Sequence, residues 1–316
     1  MFPLPAHLRM LDDNIRVEAY RKAIFQTVGK DDVVADIGTG TGILAFFALQ
    51  AGARKVYAIE KDPIIEVAKK AAQENGFDRI CFIQNDSRQT QLPEQVDIIV
   101  TETVGGFGID EGITEILHDA QNRFLKDDGK IIPRALSVKA VPVFFNAQHP
   151  FGFLEKPFHG IQNTYLRELA VNNTYGLDSV SSDHLQLLAT PGKIFETEFY
   201  SCKPVSFPVR METRFTITQK SDCHGVCVFP EVNVSEGCDI SLLNDKRFLT
   251  SNWGVVFFPV ARKLRLSTKD TLSFYLTLTE KNGCIWRHML RRENKNEDYT
   301  QLSVFGWPSL KHLIKR

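Results

Sequence analysis

The stretch from Val33 to Glu60, VVADIGTGTGILAFFALQAGARKVYAIE, decides the fold. VVADI at 33–37 is a short, nearly unbroken apolar run, the pattern of a strand covered on both faces. Gly38, Gly40 and Gly42 follow at alternate positions. Glycine there lets the backbone turn tightly and come close to a bound ligand. Ile43 to Ala51 then reads as a buried helix, and KVYAIE at 55–60 as a second strand. Strand, glycine turn, helix and strand make a unit whose strands run parallel.

The same alternation continues outward. Asp62-Pro63 opens a helix with proline in its first turn. CFIQ at 81–84 is a third strand, VDIIVTE at 96–102 a fourth, and 111–125 a helix. Upstream, 12–28 suits a helix capped by Asp12 or Asp13. After Ile131-Ile132-Pro133-Arg134 the texture changes to alternating strands, among them 136–145, 210–219, 253–260 and 271–279. That alternation predicts an antiparallel barrel or sandwich. Residues 146–190 read as irregular, with helix around 161–170. The expected organisation is α/β: an N-terminal helical segment over 1–30, a doubly wound sheet over 31–134 and a β-barrel over 135–316. A chain of 316 residues agrees with two domains, at about 100–200 residues each.

Composition narrows the function classes. Lys+Arg and Asp+Glu are both 38, so the formal charge is zero, which argues against a nucleic-acid binder working by phosphate neutralisation. Apolar runs such as Val255–Val260 are far too short to span a bilayer. The N-terminus shows neither a basic segment nor an apolar one, so no secretion signal is expected. Six cysteines are too sparse for a disulfide framework. A cytoplasmic protein with reduced thiols, free of membrane and nucleic acid, is the expectation.

Two carboxylates sharpen the glycine turn. Asp36 precedes it, and Glu60 ends the second strand, where an acid can accept both ribose hydroxyls of a nucleoside. A dinucleotide fingerprint would want a small residue where Ile43 stands, which leaves a nicotinamide enzyme as a second reading. Asp86, after the third strand with Ser87 beside it, reads evenly as an acceptor for an adenine amino group or as an ordinary turn acid. Asp36, the glycines and Glu60 together resemble the class I S-adenosylmethionine (AdoMet) methyltransferases. The cofactor implied is AdoMet, held by Asp36, Gly38, Gly40, Gly42, Glu60, Asp86 and Ser87 on a Rossmann-like sheet.

Beyond the fourth strand lies Glu102-Thr103-Val104-Gly105-Gly106-Phe107-Gly108-Ile109-Asp110-Glu111. Three glycines let this loop fold back, so Glu102 and Glu111 can converge beyond the carboxyl ends of the strands, where such sheets bind ligands. Converging carboxylates repel unless a cation lies between them. A guanidinium fits, being planar, cationic and rich in N–H donors.

Here the chain resembles the protein arginine methyltransferases, clearly over about 7–145 and more loosely beyond. HLRMLDDNIR at 7–16 with Tyr20 is similar to that family's N-terminal helix segment. The resemblance implies that Arg16 pairs with the AdoMet carboxylate and that Met10 packs near the sulfonium. It implies that Glu102 and Glu111 are the catalytic pair and that a guanidino compound is the substrate. Asp128 to Pro133 resembles the passage into the family's barrel. Ser251-Asn252-Trp253 stands where the family carries threonine-histidine-tryptophan beside the substrate, implying substrate roles for Asn252 and Trp253.

The departures are specific. Asn252 replaces a histidine, so a His–Asp pair with Asp13 is not available. Thr103, Val104 and Gly106 replace larger residues, which implies an altered or roomier pocket. The stretch from Tyr175 to Tyr200 looks like a shortened dimerisation arm, set within 160–195, and implies a homodimer only weakly. These changes favour a free guanidine such as arginine as much as a protein. Other acceptor amines, such as one on a ribosomal protein, and an inactive AdoMet-binding scaffold are the competing readings. Cys223, His224, Cys227 and Cys238 invite a zinc reading, but the ligand set is thin, and no metal is expected.

Overall fold

The computed structural model describes residues 3–106, 108–145, 157, 159–177, 185–244, 247–248, 253–278, 285–292 and 297–304. Its first half is a five-stranded parallel sheet in the order β3-β2-β1-β4-β5, with β1 Val33–Ile37, β2 Lys55–Glu60, β3 Ile80–Gln84, β4 Val96–Thr101 and β5 Leu125–Ile132. Helices α3 (Ile43–Ala51), α4 (Ile65–Glu74) and α5 (Ile113–Arg123) alternate with these strands. All five residues of β1 are buried, as its apolar run requires. The strand order reverses direction at β1 and β4, so the loops following those two strands flank the crevice where ligands bind.

The N-terminal segment is two helices rather than one. Helix α1 covers Leu4–Asp12 and α2 covers Asn14–Thr27, with Asp13 between them. The Arg16 backbone N–H donates to Asp13 Oδ1 at 3.2 Å, which makes Asp13 the cap. Helix α1 falls ahead of the expected helix. Its Pro5 lies in the first turn, where the missing N–H costs nothing. Strand β5 also went unread, because LKDDGKII lacks an apolar run and buries only its last two residues.

The second half is antiparallel. A sheet in the order β7-β15-β11-β6-β8 contains β6 (Ala135–Phe145), β7 (Tyr175–Gly176), β8 (Leu185–Leu187), β11 (Ser221–Ser235) and β15 (Val256–Leu266). Strands β9 (Gly192–Glu198) and β12 (Cys238–Ser241) pair with β6 and β11 respectively. A second sheet runs β10 (Val209–Thr216), β16 (Thr271–Leu278), β17 (Ile285–Arg292) and β18 (Glu297–Val304). A two-stranded piece joins β13 (Leu243–Asn244) to β14 (Arg247–Phe248). Helix α6 (Thr164–Val171) lies within the arm-like stretch. Within the same stretch β8 and β9 hydrogen-bond along β6.

The two halves are joined by more than the chain. Cys238 Sγ donates to Ala19 O at 3.4 Å, and His118 Nδ1 contacts Cys202 O at 3.0 Å. Cys223 and Cys227 are buried in β11, and burial pushes the Cys223 thiol up to about 12. His224 Nδ1 accepts from the Phe145 N–H at 3.2 Å. Among the described residues no cluster of three or more His, Cys, Asp or Glu is placed to hold a metal, and no helix is long and apolar enough to cross a membrane.

Gly42 shows why the turn needs glycine. Its φ is +91°, and a Cβ there would lie 2.6 Å from Phe46 Cζ and 3.0 Å from Ala68 Cβ. Gly42→Ala is expected to destabilise the fold by about 2 kcal/mol, from left-handed strain and the clash together. A denaturant midpoint unmoved from wild type would refute this.

Candidate functional site

The glycine turn is tied to the end of β2. The N–H groups of Gly38 and Thr39 donate to Ile59 O at 2.8 and 3.1 Å. Glu60 Oε2 accepts from the Gly40 N–H at 3.0 Å, and its Oε1 from the Asp62 N–H at 2.9 Å. Each oxygen keeps lone-pair capacity for a further donor.

Asp36 is 1% exposed. Its Oδ2 accepts from Thr39 Oγ1 at 2.6 Å and from the Ala45 N–H at 3.0 Å. Its Oδ1 is buried with no hydrogen-bond partner. Burial pushes the carboxyl up to about 7, the two hydrogen bonds oppose this, and Glu60 adds to it. An orphaned acceptor beside a glycine cradle suits a ligand bearing N–H or O–H donors, such as the amino acid and ribose of AdoMet.

Asp86 meets its environment differently. Arg88 Nε donates to Oδ1 at 2.9 Å and Arg88 Nη2 to Oδ2 at 2.5 Å, which holds the carboxyl down at about 2. Asp86 also caps the short turn Ser87–Gln89, with Ser87 buried beneath. His7 is a residue the sequence reading missed. It is buried, and its Nδ1 sits 3.7 Å from where a Gly40 Cβ would stand, so α1 lies over the turn. Only the preceding helix segment pointed that way.

Glu102 is gripped on both oxygens. Arg16 Nη1 donates to Oε2 at 2.9 Å, and the Trp253 indole N–H donates to Oε1 at 2.9 Å. Arg16 Nη2 also donates to Met10 O at 2.7 Å, so Met10 meets Arg16 through its backbone. Below Glu102, Tyr20 Oη donates to Thr101 O at 3.2 Å and Thr101 Oγ1 to Ile37 O at 2.7 Å. These bonds lock the strand ends that carry the turn and the loop.

Glu111 stands near enough for the Glu102 charge to act on it. Its carboxyl rises from the ordinary 4.5 to about 8, through burial first and then through Glu102 and Asp110. The side chain is itself exposed to solvent, which screens these effects. A raised carboxyl means that the folded state holds a proton which the unfolded chain releases. Between about pH 4.5 and pH 8 the contribution of this one group to stability therefore falls as pH rises. Glu111→Gln is expected to unfold at higher denaturant than wild type at pH 8, with the gap closing by pH 4.5. An equal gap at both pH values would refute this.

Gly106, one of the three residues expected to alter or widen the pocket, is closely approached from the barrel, and Gly105 and Gly108 are closely approached as well. A Cβ on Gly105 would meet Asp110 Oδ1 at 2.2 Å, and one on Gly106 would meet Trp253 O at 3.3 Å and Val256 Cγ2 at 3.5 Å. One on Gly108 would meet Leu136 Cδ2 at 2.7 Å. Asp110 of the loop itself, and Trp253, Val256 and Leu136 of the second half, lie where side chains at these positions would stand. Asn252 lies outside the described residues, as does Phe107.

This geometry has known counterparts. A family model described as ribosomal protein L11 methyltransferase (PrmA) matches residues 19–136. The chain is 28% identical over 240 residues to the histone-arginine methyltransferase CARMER of Anopheles gambiae, covering 72% of this chain and 38% of that protein. It is 28% identical over 274 residues to protein arginine N-methyltransferase 1 of Chlamydomonas reinhardtii, covering 84% and 78%. Over 137 residues it is 39% identical to protein arginine N-methyltransferase PRMT10 of Oryza sativa subsp. japonica, covering 42% and 36%. The chain thus spans about two fifths of the length of the CARMER and PRMT10 relatives.

Among solved structures, the fold matches the Trypanosoma brucei PRMT1 enzyme-prozyme heterotetrameric complex with AdoHcy, with a TM-score of 0.83 at 23% identity, covering 95% of this chain and 98% of that one. It also matches Arabidopsis thaliana protein arginine methyltransferase 10, with a TM-score of 0.77 at 20% identity, covering 94% and 97%. The parallel sheet and the antiparallel half together share the fold of these two structures. In sequence and in fold the chain is thus similar to protein arginine methyltransferases.

Proposed function

We propose that this chain is an AdoMet-dependent N-methyltransferase acting on a guanidino nitrogen. The observation that supports this is the pair Glu102 and Glu111 at the two ends of one loop beyond the carboxyl ends of the strands, the charge of Glu102 acting on Glu111, with Asp36 and Glu60 beside the neighbouring glycine turn. AdoMet, when bound, supplies an electrophilic methyl group on a sulfonium. Asp36, Gly38, Gly40, Gly42 and Glu60 would hold it, with Asp86 and Ser87 at the adenine end, His7 and Met10 above, and Arg16 at its carboxylate. Residues 31–134 would be the cofactor domain and 135–316 the substrate domain.

Glu102 and Glu111 clamp the guanidinium and orient one nitrogen for in-line attack. No strong base is needed before attack. Once methylated, the nitrogen sheds its proton to Glu111 or to water. Trp253, with Asn252 beside it in sequence, would wall the acceptor. The PrmA match over 19–136 keeps another amine as an alternative acceptor. The pair of carboxyls favours guanidinium, because a planar cation with several N–H donors can pair with both and draw Glu111 into its ionised form, as a single amine does less well. Exposed Ile161, Tyr165 and Leu166 on and beside α6, and Leu4, Leu8 and Leu11 along α1, support a homodimer in which the arm covers a second copy.

The test uses purified protein, AdoMet labelled in its methyl group, and two acceptor pools, free arginine with simple guanidines and a protein lysate. Label on either, recovered as methylated guanidine, supports the reading. Label only on amines, or none with AdoMet bound, overturns it.

A further inference from the structure

A cleft of about 500 Å³ opens on the seam between the two halves. It is bounded by the last turn of α2, the end of β5, the junction at Arg134, Tyr200 and the turn between β11 and β12. Gln26, in that last turn, is ten residues along α2 from Arg16, about 15 Å of helix, so the cleft is separate from the site around Glu102.

Its walls are pinned by bonds between distant parts of the chain. The Arg134 N–H donates to Asn233 O at 2.8 Å, and Arg134 O accepts from the Phe199 N–H at 2.8 Å. Tyr200 Oη accepts from the Ile131 N–H at 3.0 Å, and Ser235 Oγ donates to Gln26 Oε1 at 3.3 Å.

The side chains on those walls keep donors unused. Lys130 and Arg134 are exposed on the lining, and among the described residues neither has a carboxylate within ion-pair distance. The Tyr200 oxygen is already an acceptor, so its O–H is left to donate, and the Gln26 NH2 is left once its oxygen is taken. Glu236 is the one carboxylate among the lining residues, and it pairs with neither cation. A guanidinium, an ammonium, a phenol O–H and an amide NH2 on one cleft call for an anion with several acceptor oxygens. Phosphate answers that better than a carboxylate, which has two oxygens and a single charge. The cleft falls in the size range of ligand pockets, which leaves room for an organic body on the phosphate. We propose that this seam binds a phosphate monoester, with Arg134 and Lys130 holding the phosphate and Tyr200 and Gln26 donating to it. Because the walls come from both halves, the occupant ties α2 and β5 to the barrel.

Phenyl phosphate is the probe, titrated at constant ionic strength by calorimetry and in nitrogen-15 spectra. Saturable binding is expected. The Ile131 amide signal should move, since a Tyr200 O–H engaged by phosphate makes its oxygen a stronger acceptor. Arg134→Gln and Lys130→Gln should each weaken binding about tenfold or more, the size of one lost charge-assisted hydrogen bond. Both side chains are exposed, and the backbone bonds of Arg134 survive the change, so the fold is kept. Glu236→Gln should tighten binding by removing the repelling charge. Lys70→Gln, which removes an exposed charge on α4, should change nothing. Absence of saturable binding would overturn the proposal. So would an equal loss in Lys70→Gln, which means diffuse attraction to surface charge, or binding that survives loss of Arg134 and Lys130 together. Benzoate, with the same ring and a carboxylate, should bind more weakly, and equal binding would refute the choice of phosphate. None of these readouts depends on methyl transfer, so this proposal and the proposed function stand or fall separately.

Discussion

Glu102→Gln is expected to cut the methyl-transfer step by about 10²–10³-fold, the range seen when one oriented charge-stabilising group is removed. The substitution keeps the shape and removes the charge. Glutamine also exchanges one acceptor oxygen for an NH2 group. In the wild type both oxygens of Glu102 receive donors, from Trp253 and from Arg16. The amide must therefore set a donor against one of them, so orientation is lost together with charge. AdoMet binding should survive, because Asp36, Glu60 and the glycine turn are untouched. Glu111→Gln should show a comparable loss, since one carboxylate cannot grip a guanidinium in two directions. Rapid-quench single turnovers with labelled AdoMet, beside calorimetric titration with AdoHcy, separate the two effects. Unchanged turnover in either variant would remove the clamp from the mechanism.

What the sequence discloses here depends on how local the cause is. Gly38, Gly40, Gly42 and Glu60 are legible because the turn and both its strands lie within 33–60, and buried parallel strands carry unbroken apolar runs. The glutamate loop is legible for the same reason, with nine positions separating its two carboxylates. Helix α1 hides behind prolines that signal a break in most settings and are harmless in a first turn. Strand β5 hides because an edge strand with four charged residues has no alternation to show.

Gly106 is read differently in the sequence and in the fold. Read alone, a small residue there means space. In the fold it means contact, with Trp253 O and Val256 beside the place a side chain would take. Whether a glycine opens a pocket or admits a neighbour depends on residues far away in the chain. The Trp253–Glu102 bond belongs to the same category.

Arg16 should give the largest stability effect of any single substitution at this site. Its side chain is 6% exposed and that of Glu102 16%. The guanidinium donates to Glu102 and to Met10 O, and sits 6.0 Å from the Trp253 ring centroid. Arg16→Met fills similar volume without charge and strands Glu102 in a largely enclosed place with no counter-ion. Breaking a buried pair from one side typically costs roughly 3–5 kcal/mol, and the part-open glutamate points to the lower end. AdoMet affinity should fall as well, if the guanidinium holds the cofactor carboxylate. Adding Glu102→Gln should restore most of the lost stability, because no lone charge then remains, while methyl transfer stays abolished. Equilibrium denaturation of the two single variants and the double variant measures the coupling directly. Additive destabilisation would mean that the pair contributes through packing alone. Recovery of stability without recovery of turnover would show that the ion pair serves both the fold and the site, and that its two contributions can be taken apart.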